Sequence, residues 1–221
     1  NPKDKVLGMP KSDRELANRV TFDFVDEVSR DSPAPGGGSV AALSGALGAA
    51  LGTMVANLSI SKAGFEDYKD KLTEIAKKGQ FTKDELVKAI DDDTNAFDEV
   101  IKAMRMPKDT DEEKENRNIE MQKGYQSATL VPLKTVENCR DALEICKSIS
   151  EIMDEGMASD VGSGALMANA GAIAAAYNVR INLRSIKNEK FLLDVKNNLD
   201  ELLKECNKIL TIVTKNVEKY L

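Results

Sequence analysis

Residues 36–61 read GGGSVAALSGALGAALGTMVANLSIS and contain no charged side chain. Large apolar residues recur every three or four positions, and a second face carries only small residues, namely Ala41, Gly45, Gly48, Gly52 and Ala56. This spacing predicts an α-helix from about residue 39 to residue 60. A helix without charge on any side is typical of the centre of a helical core, so the stretch predicts a fold built on helix–helix contacts.

A charge-free helix of this length is also long enough to span a membrane. Its composition favours the core interpretation, because Ala, Gly, Ser, Thr and Asn outnumber the large apolar residues. The chain also contains no Trp for an interfacial belt. We therefore expect no membrane partner.

Residues 161–179 form a second charge-free stretch, and it repeats the small-residue face with Gly164, Ala168, Gly171 and Ala175. Glycine inside a helix costs about 1 kcal/mol relative to alanine, which suggests that these positions need the missing side chain. Two reasons remain open. The small faces allow close helix packing, within one subunit or between two, or they leave room for a flat ligand.

The rest of the chain also favours helices, and no alternating strand pattern is present. We expect an all-α fold, a multi-helix bundle of six or seven helices, in a single domain spanning residues 1–221. The other predicted helices cover residues 12–30 with Ser12 as N-cap, 66–104 with an interruption near Gly79, 111–153 with a bend near Pro132, 160–186 with Asp160 as N-cap, and 189–220.

The composition excludes several classes of function. A net charge of −6 argues against nucleic acid and anionic membranes as partners. The absence of histidine excludes a Ser-His-Asp triad, a Cys-His pair and an HExxH zinc site. The three cysteines lack CxxC spacing, so we expect no metal site and no disulfide framework. We also expect no tightly bound cofactor. The cysteines and the lack of a visible secretory signal favour a cytoplasmic location.

A glycine-rich loop, residues 33–39, leads into the first charge-free helix. Gly36, Gly37 and Gly38 allow a close approach of the backbone to a ligand, and the helix N-terminus that begins near Ser39 favours an anion or a carbonyl oxygen. The loop lacks the GxxxxGK[ST] pattern of a phosphate-binding P-loop. A plain turn between two helices would use the same residues.

Asp93 interrupts an apolar stripe. Leu86, Ile90, Phe97, Val100 and Met104 follow a four-three spacing, and continuing it from Ile90 to Phe97 places Asp93 on the same face. Burial of a carboxyl raises its pKa toward values useful for a general acid. The alternative is a structural carboxylate that pairs with a lysine or caps another helix.

Asn178 and Asn182 continue the small-residue face beyond Ala175. Two amides one helical turn apart can both donate and accept hydrogen bonds, which suits a heterocycle with a mixed polar edge. Buried amides that tie two helices together are the ordinary alternative.

These features together resemble one family. The stretch SPAPGGGSVAA (residues 32–42) is similar to the glycine signature of the C-terminal domain of formiminotransferase-cyclodeaminase. The segment from Ala96 to Lys108, preceded by the pair Asp91 and Asp93, resembles a second motif of that domain, and NVRINL (residues 178–183) a third. The resemblance spans nearly the whole chain from about Phe24.

The resemblance implies a helical subunit that forms a homodimer, with a folate site near the glycine loop and Asp93 as the catalytic group. Relatives often carry a small residue where this chain has Asp92. For such a folate site, we expect residues 36–39 to approach the ligand or its carboxylate tail, and Asn178 and Asn182 to orient the pterin or the bridging atoms. Candidates for holding the glutamate tail are Lys62, Arg105, Arg180 and Arg184.

The implied activity is the cyclisation of 5-formimino-tetrahydrofolate to 5,10-methenyl-tetrahydrofolate with release of ammonia. A second reading is a methenyltetrahydrofolate cyclohydrolase, which opens the methenyl compound to 10-formyl-tetrahydrofolate. A non-catalytic folate-binding helical protein and a purely structural helical dimer also remain open. A separate formiminotransferase is an expected partner, because no formiminotransferase half is recognisable in these residues.

Overall fold

A computed structural model describes residues 21–221, and these residues form six α-helices and no strand. The all-α prediction is confirmed. The predicted helix start at Ser12 lies outside the described residues. The helices are α1 (Thr21–Val28), α2 (Gly37–Ile60), α3 (Lys69–Met104), α4 (Asp111–Ser150), α5 (Ala158–Leu183) and α6 (Glu189–Val217).

Local sequence signals set several helix ends. Thr110 starts α4 with a capping box, in which its hydroxyl accepts from the backbone N–H of Glu113 at 3.2 Å and its own N–H donates to the Glu113 carboxylate at 2.9 Å. Asn188 starts α6 by accepting from the N–H of Phe191 at 3.1 Å. These bonds satisfy donors that a helix N-terminus leaves without a partner.

The small-residue faces of α2 and α5 pack against each other in the core. A Cβ added to Gly48 would lie 2.6 Å from the Gly164 carbonyl oxygen, and one added to Gly171 would lie 2.7 Å from the Ala41 carbonyl oxygen. The two backbones therefore touch directly and run antiparallel. Close helix packing within the subunit is one confirmed reason for the glycines.

The large-residue face of α2 lies at the surface instead. Leu47 is 47% exposed and Leu58 is 61% exposed, although α2 is the central helix. Contact between backbones brings the helix axes close only on the small face, and the large side chains are left on the opposite side. Within residues 21–221, α2 alone is long and apolar enough to cross a membrane, and 61% of its most apolar window is buried inside the protein.

Two local predictions were wrong. The predicted interruption near Gly79 is absent, because α3 continues through it and a Cβ there would lie 2.1 Å from the Thr53 hydroxyl of α2. Gly79 thus permits a close helix contact and does not break the helix. Asp160 is not an N-cap, since α5 begins at Ala158 after Met157 and Asp160 lies in its first turn. Pro132 lies buried within the continuous α4.

Candidate functional site

A cavity of about 370 Å³ opens at the N-terminal end of α2. Its walls are the glycine-rich loop, the second half of α3, and parts of α4 and α5. The residues that line it include Gly36, Gly37, Asp93, Thr94, Phe97, Ile101, Met104, Tyr125, Ala128, Asn178, Ile181 and Asn182. A larger, more open groove of about 610 Å³ lies along α4 between Asp111 and Lys187, and it contains none of the predicted site residues.

Asp93 lies where α3 meets the start of α2. Its carboxylate fills the space in which Gly38 lacks a side chain, because a Cβ on Gly38 would lie 2.0 Å from Asp93 Oδ1. The backbone N–H of Ser39 donates to the carboxylate. The helix N-terminus therefore binds an anion that the protein itself supplies.

The pKa of Asp93 is shifted upward. Burial raises it above the ordinary value of 3.8, while the hydrogen bonds from the backbone and side chain of Ser39 act in the opposite direction. The side chain remains partly accessible and lines the cavity. Asp93 is thus a carboxyl group that can take up and release a proton beside a bound ligand.

Ser39 supports this arrangement from behind the cavity wall. It is fully buried and does not line the cavity, so the predicted contact between Ser39 and a ligand was wrong. Its hydroxyl donates to the carbonyl oxygen of Ile90 at 2.8 Å and lies 3.5 Å from Asp93 Oδ2. Ser39 therefore holds the start of α2 against the turn of α3 that carries Asp93.

The two predicted amides both line the cavity. Asn178 donates through Nδ2 to the Ala174 carbonyl at 3.0 Å, and Asn182 donates through Nδ2 to the Ala128 carbonyl at 2.6 Å. Each amide keeps an Oδ1 acceptor and one N–H that these bonds do not use. The Asn182 bond also ties α5 to α4, so this residue combines the structural role with a position in the cavity wall.

The predicted cations do not form one group. Lys62 follows the far end of α2, which is 24 residues or about 36 Å long, and it pairs with Asp154. Arg180 lies 3.9 Å from Asp200 and lines a different groove, between α5 and α6. Lys62 and Arg180 therefore lie away from this cavity, and spacing along the chain does not show which end or side of a helix faces it.

Arg105 and Arg184 are exposed and do not line the cavity. Arg105 directly follows Met104, which is a lining residue. Arg117, which the sequence did not indicate, donates through Nε to the Met104 carbonyl at 3.1 Å. Two guanidinium groups are therefore attached close to this end of the cavity.

The apolar lining was only partly predictable. Phe97 and Met104 belong to the predicted buried stripe, yet they are 38% and 40% exposed because they face the cavity. Periodicity finds the face of a helix but does not distinguish a packed core from a cavity wall. Tyr125 had no functional signal, since it reaches the cavity only through the packing of α4.

No group of three or more His, Cys, Asp and Glu side chains that could hold a metal ion occurs within residues 21–221. The three cysteines are free and buried, and burial raises the pKa of the Cys206 thiol to about 11. The polar side chains that line this cavity carry a carboxyl group, amides and hydroxyls.

Comparisons with known proteins agree on one family. Residues 21–201 match the family described as Formiminotransferase-cyclodeaminase. The chain is 36% identical over 189 residues to methenyltetrahydrofolate cyclohydrolase of Methylorubrum extorquens, covering 86% of this chain and 91% of that protein. It is 34% identical to formimidoyltransferase-cyclodeaminase of Gallus gallus, where the match covers 99% of this chain but 41% of the longer relative.

The fold has a solved counterpart. The crystal structure of formiminotetrahydrofolate cyclodeaminase from Thermotoga maritima aligns with a TM-score of 0.84 at 27% identity. The alignment covers 93% of this chain and 98% of that chain.

Proposed function

The chain belongs to the formiminotransferase-cyclodeaminase family, and from that premise we propose that it cyclises 5-formimino-tetrahydrofolate to 5,10-methenyl-tetrahydrofolate with release of ammonia. It is an enzyme of folate one-carbon chemistry, as its relatives named cyclodeaminase and cyclohydrolase are. The observation that carries the specific proposal is the carboxylate of Asp93, held at the N-terminus of α2 and accessible from the cavity.

The proposed reaction needs one proton to be moved. N10 of the protonated formimino substrate attacks the formimino carbon, which gives a tetrahedral carbon between N5 and N10. Asp93 accepts the proton from N10 and returns it to the amino group, so the C–NH₂ bond breaks and ammonia leaves. The methenyl cation remains, and Asp93 ends as the carboxylate with which it began.

The electrostatics of the cavity support this role. A carboxylate stabilises the positive charge that both the protonated formimino group and the methenyl product carry, and partial burial strengthens that interaction. The upward shift of the Asp93 pKa favours temporary protonation during the reaction. Both effects require only groups that this chain supplies.

Substrate binding is assigned to the surrounding groups. Gly36 and Gly37 bring the backbone to the cavity, and Asn178 lies beside them, since a Cβ on Gly37 would lie 3.4 Å from its Nδ2. We place the pterin there, with Asn178 on its polar edge. The glutamate tail then leaves past Met104, where Arg105 and Arg117 supply positive charge, and Arg184 is a further candidate.

The second candidate function is that of a methenyltetrahydrofolate cyclohydrolase. It is favoured by the Methylorubrum relative, whose match covers most of both proteins. In that reaction water adds to the same methenyl carbon and Asp93 accepts one of its protons. N5 receives this proton as its bond to that carbon breaks, and the remaining hydroxyl proton is released to solvent as the formyl carbonyl forms. Because both reactions pass through a tetrahedral carbon between N5 and N10, one site can serve both. The relatives' enzyme names argue against a non-catalytic folate-binding or purely structural protein.

Replacing the carboxylate tests the catalytic assignment. We expect Asp93→Asn to lower kcat about 10²- to 10⁴-fold on whichever folate the wild type converts. The dissociation constant of tetrahydrofolate should stay within about threefold, since the amide keeps the shape of the side chain. Normal turnover by Asp93→Asn would show that the proton passes through another group.

We also propose that the chain forms a homodimer through the outer faces of α2 and α5. Val40, Leu47 and Leu58 of α2 and Leu166 and Ile173 of α5 are between 40% and 61% exposed, on helices whose central parts carry no charge. Such an apolar face favours contact with a second apolar surface. Leu47→Lys should convert a dimer into a monomer in sedimentation velocity, and a wild-type monomer would refute the proposal.

The cellular setting follows from the same reasoning. We propose a cytoplasmic enzyme, consistent with its free buried cysteines. The formimino substrate would come from a formiminotransferase. In the longer relatives both activities share one name and one chain, and this chain matches 41% of that length.

A further inference from the structure

We propose that Tyr125 is a substrate-binding residue, whose phenol donates a hydrogen bond to the benzoyl carbonyl of the folate. This inference rests on the proposed function, because it assumes a folate with its reacting carbon at Asp93. It adds a specificity contact on α4, a helix on which the sequence indicated no site residue.

The hydroxyl of Tyr125 is available for a ligand. Tyr125 lines the cavity and is partly buried, and its hydroxyl forms no hydrogen bond with another residue in the described part of the chain. Other polar side chains there already have a protein partner: Asn178 and Asn182 each use one N–H on a backbone carbonyl, and Asp93 accepts from Ser39. A hydroxyl without a protein partner, on a residue that lines a cavity, can stabilise a ligand by a hydrogen bond.

The packing of α4 fixes the position of this tyrosine. Its neighbour Gly124 packs directly on α3, where a Cβ would lie 3.3 Å from Val100 Cα. Val100 lies seven residues beyond Asp93 on the same helix, which is about 10 Å along the axis. Ala128, one turn after Tyr125, accepts a hydrogen bond from Asn182 through its backbone carbonyl, and this bond holds α4 against α5. The backbone of α4 beside Tyr125 therefore packs on α3 about two helical turns beyond Asp93.

The α3 wall of the cavity is largely apolar from Asp93 to beyond the level of Val100. Phe97, Ile101 and Met104 line the cavity on the α3 side from Asp93 onward. In a folate, an aromatic ring separates N10 from the benzoyl carbonyl, and the glutamate follows. Along α3 the cavity offers matching groups: Asp93 for proton transfer, an apolar wall with Tyr125 beside it, and, past Met104, the cations Arg105 and Arg117 just outside the lining.

Tyr125→Phe tests the contact, since it removes one oxygen and keeps the ring. A single hydrogen bond contributes about 0.5–1.5 kcal/mol, so KM for the converted folate should rise about 2- to 12-fold. The contact lies far from the reacting carbon and binds ground and transition states equally, so kcat should stay within about twofold. Tyr68→Phe is the matched control, because Tyr68 is exposed and does not line the cavity.

Two fragments locate the contact. Tyr125→Phe should raise the inhibition constant of p-aminobenzoylglutamate and leave that of 6-methyltetrahydropterin unchanged. The reverse pattern, an unchanged KM, or a loss of kcat at constant KM would overturn the proposal. If wild-type protein converts neither folate, the proposed function fails separately. The contact is then tested by direct binding of p-aminobenzoylglutamate to wild type and Tyr125→Phe, where equal affinities or an absence of binding would refute it.

Discussion

Glycines at two positions of α2, in its middle and at its N-terminal end, serve different purposes. In the middle of the helix, Gly48 lets the backbone touch α5, with a Cβ position 2.6 Å from the Gly164 carbonyl oxygen. At the N-terminal end, Gly38 leaves space for the carboxylate of Asp93, with a Cβ position 2.0 Å from its Oδ1. The same residue type thus builds the core at one position and the site at the other.

The two glycines differ in which atoms occupy the space that a side chain would fill. Around Gly48 the neighbours are main-chain atoms of Gly164 and Ala168 and the Cβ of Ala168. These atoms can move only if the backbone of α5 moves. Around Gly38 the neighbour is a titratable side chain that also lines a cavity. A methyl group should therefore damage stability at one glycine and chemistry at the other.

Among the glycine variants, the largest expected effect is that of Gly38→Ala on turnover. The added methyl would displace the Asp93 carboxylate from the start of α2, and a displacement of about 1 Å at a reacting group costs about 100-fold in rate. We expect kcat to fall by about this factor while the thermal midpoint changes little, because alanine favours a helix. Steady-state kinetics and thermal denaturation measure both quantities.

Gly37→Ala is the comparison variant for this experiment. A Cβ at Gly37 would lie at ordinary contact distance, 3.4 Å from Asn178 Nδ2. Its loss of kcat should be much smaller than that of Gly38→Ala. Equal losses would show that the loop, and not the position of Asp93, limits the reaction.

Gly48→Ala should show the opposite pattern. Overpacking against backbone atoms costs about 1–3 kcal/mol, so the free energy of unfolding should fall by that amount. The kcat of the folded enzyme should remain within about twofold, since Gly48 does not line the cavity. Denaturant unfolding measures the first quantity, and an unchanged stability would mean that α2 and α5 are less closely packed than described.

A smaller effect is expected for the stability of Asp93→Asn. Because the folded pKa of Asp93 lies above 3.8, its contribution to stability is present below that pH and is lost as pH rises through the folded value. Removing the charge should therefore make Asp93→Asn more stable than wild type at pH 7. Thermal midpoints over a pH series should show this advantage shrinking toward pH 3.8, and a destabilised variant at pH 7 would contradict the assigned cause.

Much of the fold was predictable because the two charge-free stretches mark α2 and α5 directly. Their small-residue faces also predicted the close contact that the structure contains. The interruption at Gly79 was predicted wrongly, since a glycine that admits Thr53 and a glycine that breaks a helix look the same in a sequence. The sequence also did not show that the face of α2 with the large apolar side chains is exposed, because this exposure depends on tertiary packing.

Residues of the candidate site could be predicted where a local sequence pattern indicated which way they face. Four-three spacing placed Asp93 on an apolar face, and the continued small face led to Asn178 and Asn182; all three line the cavity. Lys62 and Tyr125 show the limit of predicting site residues from local patterns. The first was placed in the site although it lies at the far end of α2, and the second was missed because only the packing of α4 brings it to the cavity.

The most direct test offers the wild-type protein 5-formimino- and 5,10-methenyl-tetrahydrofolate in separate reactions, while methenyl absorbance and ammonia are followed. We predict ammonia release with equal formation of the methenyl product from the first substrate. Loss of the methenyl compound above its uncatalysed rate, without ammonia release from the first substrate, would establish the cyclohydrolase instead. Turnover of neither folate would contradict the assignment of this chain to folate one-carbon catalysis.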